Sequence, residues 1–222
     1  MVFWQRTDAK GCTDLGLIRS LKLSEVARAS GILARSFFDD PGVTKILPQV
    51  ADRVRLGETL ASTMIRFTLL CGKAVIHRDL LGVALWFPPE PQAPTEDVLR
   101  QSGMLNVPSL VGDAAWSKIR ALMTELDSLH RIRAKEPHWY LCMLGVDPEF
   151  QRQGVGEALL RPTLELADAQ ETPCYLLTPI SNLVPYYGRR GFTVVADAHV
   201  LDGQLHMRLM RRGAGSLRKV AL

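Results

Sequence analysis

From Gln151 to Gly156 the chain reads Gln-Arg-Gln-Gly-Val-Gly, and an apolar-periodic segment follows it to Asp168. A glycine inside a helix costs roughly 1 kcal/mol relative to alanine, so Gly154 and Gly156 at a helix start need a reason. The first amides of a helix have no internal partner, and the helix dipole sets about half a positive charge beside them. Such a terminus is an anion site. Missing Cβ atoms at 154 and 156 would let phosphate oxygens reach those amides, and Arg152 adds a cation. The pattern therefore points to phosphate or pyrophosphate. It is not a Rossmann fingerprint, because Leu159 stands where the third glycine belongs. It is not a P-loop either, because Glu157 follows Gly156 where a lysine is required.

The elements that must position this loop follow from periodicity and punctuation. A short apolar strand is expected over Leu15 to Leu23. Ser24 with Glu25 suits the N-cap of a helix that Pro41 ends. A second helix runs from about Ala51 to Leu70, with Val54, Leu60, Ala61, Met64 and Phe67 or Thr68 as its apolar positions, and Gly72 stops it. Lys73 to Asp79 and Gly82 to Phe87 read as a hairpin. The proline-rich Pro88 to Pro94 is a rigid connector. Helical patterns resume at Thr95 to Gln101 and at Asp113 to Arg133, where Trp116, Ile119, Leu122, Met123, Leu126 and Leu129 form one stripe. His138 to Val146 is a buried strand that leads into the glycine loop and its helix, within which Pro162 frees the carbonyl of Ala158. Cys174 to Thr178, a helical turn around Val184 to Arg190, and two strands joined at Asp202-Gly203 close the chain. This order predicts one α/β domain over residues 1–222 with a mixed sheet, carrying a helical insertion over about 94–136 and a basic tail over about 211–222.

The surroundings of the loop carry a resemblance. LGVDPEFQRQGVGEALL, followed by a further strand and then PYYGRRGF, resembles the GNAT family of N-acetyltransferases. The matching positions are Gln151, Gly154 and Gly156 of the acetyl-CoA motif, and Tyr187, Gly191 and Phe192 of the later motif. The likeness covers Trp139 to Val195, and the wording HWYL…LGVDP…NLVPYYGRRGF is most similar to a branch that includes puromycin-acetyltransferase-like proteins. The resemblance implies that Gln151, Arg152, Gln153, Gly154, Val155 and Gly156 hold the coenzyme diphosphate. Leu144, Gly145 and Val146 would pair with the pantetheine arm where this strand and the next splay apart. Tyr187 would touch the coenzyme and protonate the departing thiolate, and Asn182 would line the coenzyme site. Several relatives carry a strand glutamate eleven residues before the glutamine; here that position is Tyr140. Strand alternation puts His138, Tyr140 and Cys142 on one face, which makes His138 a candidate base. Glu90 is another, and a water chain without a dedicated base is a third route. Acetyl-CoA is then the cosubstrate and a small primary amine the acceptor. A non-catalytic acyl-CoA-binding sensor on the same scaffold is the alternative, and a nucleic-acid-binding protein using the basic tail is a third reading.

Bulk properties agree. With 222 residues, 47% hydrophobic and 23% charged, the chain can bury a core. A net charge of +4 fits an anionic small ligand without demanding nucleic acid; only the tail RRGAGSLRK argues for the latter. Cys12, Cys71, Cys142 and Cys174 form no CxxC pair, and the five histidines share no ligand spacing, so reduced thiols and no metal are expected. No signal peptide or membrane-length apolar run is present, so a cytoplasmic protein is expected, with a homodimer as its one macromolecular assembly.

Overall fold

The computed structural model describes residues 16–91 and 93–215. β1 (Ile18–Ser20) leads to α1 (Val26–Ser36), α2 (Pro41–Ile46) and α3 (Val50–Cys71), then to the hairpin β2 (Lys73–His77) and β3 (Gly82–Phe87). The insertion supplies α4 (Glu96–Ser102), α5 (Val107–Val111) and α6 (Asp113–Arg133). β4 (Trp139–Val146), α7 (Val155–Ala169), β5 (Cys174–Thr178), α8 (Val184–Gly188), β6 (Phe192–Val200) and β7 (Leu205–Arg212) complete it. The strands form one sheet in the order β1-β2-β3-β4-β5-β7-β6. Only β4 and β5 run parallel; every other neighbouring pair is antiparallel. The mixed α/β sheet expected from the element order is the architecture observed.

Helices cover both faces. α7 packs Leu159, Leu160, Leu164 and Ala167 against Ala84, Trp86, Leu141 and Leu176 on one face. On the other face α1 and α3 set Ile32, Leu33, Ala61 and Ile65 against Ile76, Val83 and Leu85. α6 extends that second layer, with Leu122 against Val200, Leu205 and Met207.

Local chemistry departs from expectation at several places. Ser24 is not a cap: residues 23–25 form a 3-10 turn, and the Glu25 carboxylate accepts from the Lys22 amide (3.1 Å) and from Arg19 (2.6 and 2.7 Å). Pro41 opens α2, where the Asp40 carboxylate caps the amides of Gly42 (2.8 Å) and Val43 (3.2 Å) and the missing proline N–H is not needed. Val54 is 68% exposed and Met123 is 54% exposed, so these two leave the expected stripes, while Ala61 and Thr68 on α3 and Leu122 on α6 are buried as expected and Leu56, Ile65 and Ala115 join them. Of the cysteines, Cys71, Cys142 and Cys174 are free thiols, while Cys12 lies outside the described residues.

The basic tail expected from about 211 starts later than that. β7 runs through Arg212, Arg211 pairs with Glu136 (2.7 Å), and residues 216–222 lie outside those described. Arg212 is fully buried and grips Asp168 through two parallel bonds of 2.8 and 2.7 Å. Its Nε donates to the Arg190 carbonyl (3.0 Å), and the Gly215 amide donates to the same carboxylate (2.8 Å). A buried pair of this geometry is costly to break from one side, because the remaining charge loses its partner. Arg212→Met should therefore cost about 3–5 kcal/mol in urea unfolding, with much of it recovered in an Arg212→Met/Asp168→Leu double variant.

Candidate functional site

β4 and β5 pair only at Trp139–Cys174, Tyr140–Tyr175 and Leu141–Leu176. Beyond that point β4 stays with β3 as far as Val146, while β5 stays with β7 as far as Thr178. The two parallel strands therefore part, and among the described residues no strand lies beside the edge of β4 over residues 142–146. A one-residue irregularity helps them separate: Leu85 faces Met143 and Trp86 faces Leu141, which leaves Cys142 as an extra residue. Bulges of this kind bend and twist the strand that carries them. The Asp147 amide bonds to the Leu81 carbonyl (2.9 Å). Antiparallel alternation then turns the backbone groups of Gly145 and Met143 toward β3 and those of Leu144 and Val146 toward the opening.

The glycine loop sits at the mouth of this opening. After a 3-10 turn at Pro148–Phe150, Arg152 (φ 61°) and Gly154 (φ 87°) adopt left-handed backbone, and Gln151 to Gly154 are exposed. Gln151 donates to the Val146 carbonyl (3.2 Å) and Gln153 to the Glu149 carbonyl (3.0 Å). Gly154 caps α7 without a side-chain bond, and the first helical bond runs from Ala158 back to it (3.0 Å). The amides of Val155, Gly156 and Glu157 thus have no acceptor within the helix.

The two glycines have different causes. At Gly154 a Cβ would meet open space, and the left-handed φ is what demands glycine. At Gly156 the space is taken: a Cβ would lie 2.7 Å from the Tyr186 hydroxyl and 3.6 Å from Val146 Cγ2. Room for phosphate is therefore the wrong explanation at 156. Gly145 serves packing as well, since a Cβ there would strike Leu33 (2.6 Å) and Ser36 of α1. Arg35 of α1 pairs with Asp147 (2.5 and 3.1 Å) and fixes that helix to the start of the loop.

The chain beyond β5 returns to the same end of the sheet. Asn182 is exposed in a 3-10 turn, and α8 brings Tyr186 and Tyr187 beside α7. Tyr187 is 6% exposed, edge-on to Phe192 (5.8 Å) and Tyr186 (5.1 Å), and burial pushes its phenol pKa well up. Tyr186 was not singled out by sequence. Its only advance signal was its place one residue before Tyr187.

The two candidate bases are placed elsewhere. Phe87 pairs with Tyr140, so Glu90, exposed in the connector after β3, follows the closed end of the β4–β5 pairing. His138 precedes β4 on that closed side, and both its ring nitrogens are engaged. Nδ1 donates to the Glu136 carbonyl (2.6 Å), so in the neutral ring Nε2 accepts from Nε2–H of His130 (2.7 Å). His138, Tyr140 and Tyr175 do share one face, with the His130 ring 4.7 Å from both His138 and Tyr140. Among the described residues no group of three or more His, Cys, Asp or Glu is arranged to hold a metal ion, and no helix is long and apolar enough to cross a membrane.

Residues 124–211, from the second half of α6 through the opening, the loop and α7 to β7, match the acetyltransferase (GNAT) domain family model. A curated relative, a probable serine/threonine-protein kinase of Dictyostelium discoideum, is 22% identical over 194 residues. That match takes in 79% of this chain, which spans about a fifth (20%) of the length of the relative. Solved structures share the fold. A Corynebacterium glutamicum protein described as histone acetyltransferase HPA2 and related acetyltransferase superposes with a TM-score of 0.64 at 21% identity, covering 89% of this chain and 96% of its own. Arylalkylamine N-acetyltransferase 2 from Aedes aegypti gives 0.61 at 17% identity, covering 88% and 97%. An agmatine N-acetyltransferase gives 0.57 at 12% identity, covering 88% and 98%.

The His130–His138 pair makes a pH prediction. Burial first, and the neighbouring His138 second, push the His130 pKa down to about 4. The unfolded state, with an ordinary pKa near 6.5, then binds the proton more tightly, so stability falls as pH drops from about 6.5 to 4 and levels off below. His77, also pushed down by burial, acts in the same sense. Melting temperature measured from pH 7.5 to 4 should decline in wild type, and His130→Gln should shrink that slope; an unchanged slope would exclude His130 as its source. The parted strands and the helix start at their mouth both lie within residues 124–211, the stretch that matches the acetyltransferase (GNAT) domain model.

Proposed function

We propose that the chain is an acetyl-CoA-dependent N-acetyltransferase that acetylates a primary amine of a small molecule by direct attack. The observation that carries this reading is the opening itself. An unpaired strand edge and a set of helix-start amides without acceptors lie at one mouth, which suits an extended ligand with an anionic middle. The amides from Arg152 to Gly156 would hold the diphosphate, with Gln151 and Gln153 bracing the loop. Leu144 and Val146 would pair with the pantetheine arm, whereas Gly145 serves β3 and α1. Asn182 would line the exposed rim. Bound there, acetyl-CoA supplies the acyl group and a thiolate leaving group.

Two roles remain for the chain in this reading. Backbone groups of β4 hold the acyl carbonyl for attack, so positioning and oxyanion stabilisation provide most of the rate. Tyr187 holds its proton at neutral pH and gives it to the thiolate as the C–S bond breaks. A raised phenol pKa does not forbid that transfer, because removal from water raises a thiol as well as a phenol, so a thiolate released in a dry cleft would be a stronger base than in solution. The amine proton passes to solvent in this scheme, since His138 has no unengaged nitrogen and Glu90 lies past the closed end.

The small-amine acceptor is supported by relatives of the same fold whose names specify arylalkylamine and agmatine. The finer placement near puromycin-acetyltransferase-like proteins rests on the wording around Trp139 and Tyr187 alone. Free thiols at Cys71, Cys142 and Cys174 support a reducing compartment. Tyr140, in place of a strand glutamate, favours the second reading, an acyl-CoA-binding sensor.

Calorimetry with acetyl-CoA and CoA should show binding by the wild type; no binding of either ends the proposal. Thiol release over a panel of amines should then detect turnover, and Tyr187→Phe should lower it roughly a hundredfold. Unchanged turnover would remove Tyr187 as the acid. Coenzyme binding without release for any amine would favour the sensor.

A further inference from the structure

We propose that Tyr186 is a coenzyme-binding residue whose hydroxyl completes the diphosphate cradle at the start of α7. The inference rests on the acetyl-CoA reading above. The Tyr186 hydroxyl is buried and has no hydrogen-bond partner among the described residues. It lies 2.7 Å from where a Cβ on Gly156 would stand, and that same point is 3.6 Å from Val146 Cγ2. The hydroxyl therefore stands against Gly156, the second residue of α7, in a space that Val146, the last residue of β4, also borders.

Its position is held from several sides. The Arg190 guanidinium lies 3.7 Å over the Tyr186 ring. One nitrogen of that guanidinium donates to the Tyr186 carbonyl (2.7 Å) and another to the Glu157 carboxylate (2.8 Å) in the first turn of α7. Tyr187 packs edge-on at 5.1 Å. Arg190 thus serves as a strap between α8 and the helix start, and the hydroxyl has little freedom to turn away.

What the hydroxyl lacks follows from its neighbours. A helix start presents N–H groups, which donate and cannot accept. The carboxylate in that turn, Glu157, is engaged by Arg190 and stands 3.8 Å from Arg161. The phenol oxygen could accept from one of those N–H groups but makes no such bond among the described residues, and its own proton finds no acceptor there. A diphosphate, with several lone pairs, meets that need for the amides and the phenol together. Gly156 then has a functional reason distinct from the anion: any side chain there would displace Tyr186.

The test is calorimetry on the wild-type chain and Tyr186→Phe with CoA, and with pantetheine, which lacks the diphosphate, together with melting of the unliganded proteins. The expected result is a loss of roughly tenfold in CoA affinity with pantetheine binding unchanged. Because the lost hydroxyl is unpaired in the free protein, the unliganded melting temperature should stay equal or rise. CoA affinity equal to wild type would overturn the proposal, as would an equal loss for pantetheine or a lowered unliganded melting temperature. A wild type that binds no CoA would instead end the acetyl-CoA reading on which the inference rests.

Discussion

The parallel pairing of β4 and β5, limited to three residue pairs, is the constraint on which the site depends. Each strand has a stronger commitment elsewhere: β4 to β3 as far as Val146, β5 to β7 as far as Thr178. Strand twist and the extra residue at Cys142 then draw their ends apart. The gap needs support from both faces, and two glycines permit it. Gly145 lets α1 lie directly against β4, and Gly82 lets α7 approach β3, where a Cβ would sit 2.7 Å from Leu159. The opening is therefore braced by helices above and below while its edge stays bare.

Charge at the mouth is balanced with the same economy. Unpaired amides make the start of α7 positive, and an acidic Glu157 within that turn would weaken its hold on an anion. Arg190 offsets that carboxylate at 2.8 Å, and Arg35 does the same for Asp147 at the end of β4. These two carboxylates are thus held in ion pairs, which weakens their opposition to the amide field.

Much of this was legible in the sequence where a local rule sufficed. The DG turn is an example in part: Asp202 (φ 54°) and Gly203 (φ 82°) take left-handed backbone, but Leu201 (φ 53°) does so too, and the loop runs from Leu201 to Gln204 between the paired Val200 and Leu205. Gly154, whose backbone requirement is local, is another. Rules failed where the partner came from a distant segment. The cause of Gly156 is Tyr186, thirty positions later. The engagement of His138 depends on His130, delivered by the inserted α6. Val54 and Met123 fit a helical period, but which stripe turns inward is decided by what lies opposite. Arg211 and Arg212 resembled a solvated basic end because Glu136 and Asp168 meet them only in the folded chain.

Arg190 joins two of the contacts that have been described separately. Its carbonyl receives Arg212, which holds Asp168 near the C-terminal end of α7, while its side chain holds Glu157 at the N-terminal end. One residue of the α8 turn therefore links both ends of a fifteen-residue helix, Val155–Ala169. A helix tethered at both ends has little conformational freedom left to lose when an anion arrives. Contacts that the proposed ligand would make at its first turn would then be discounted less by the entropy of ordering the receptor, because ion pairs preorganise that turn.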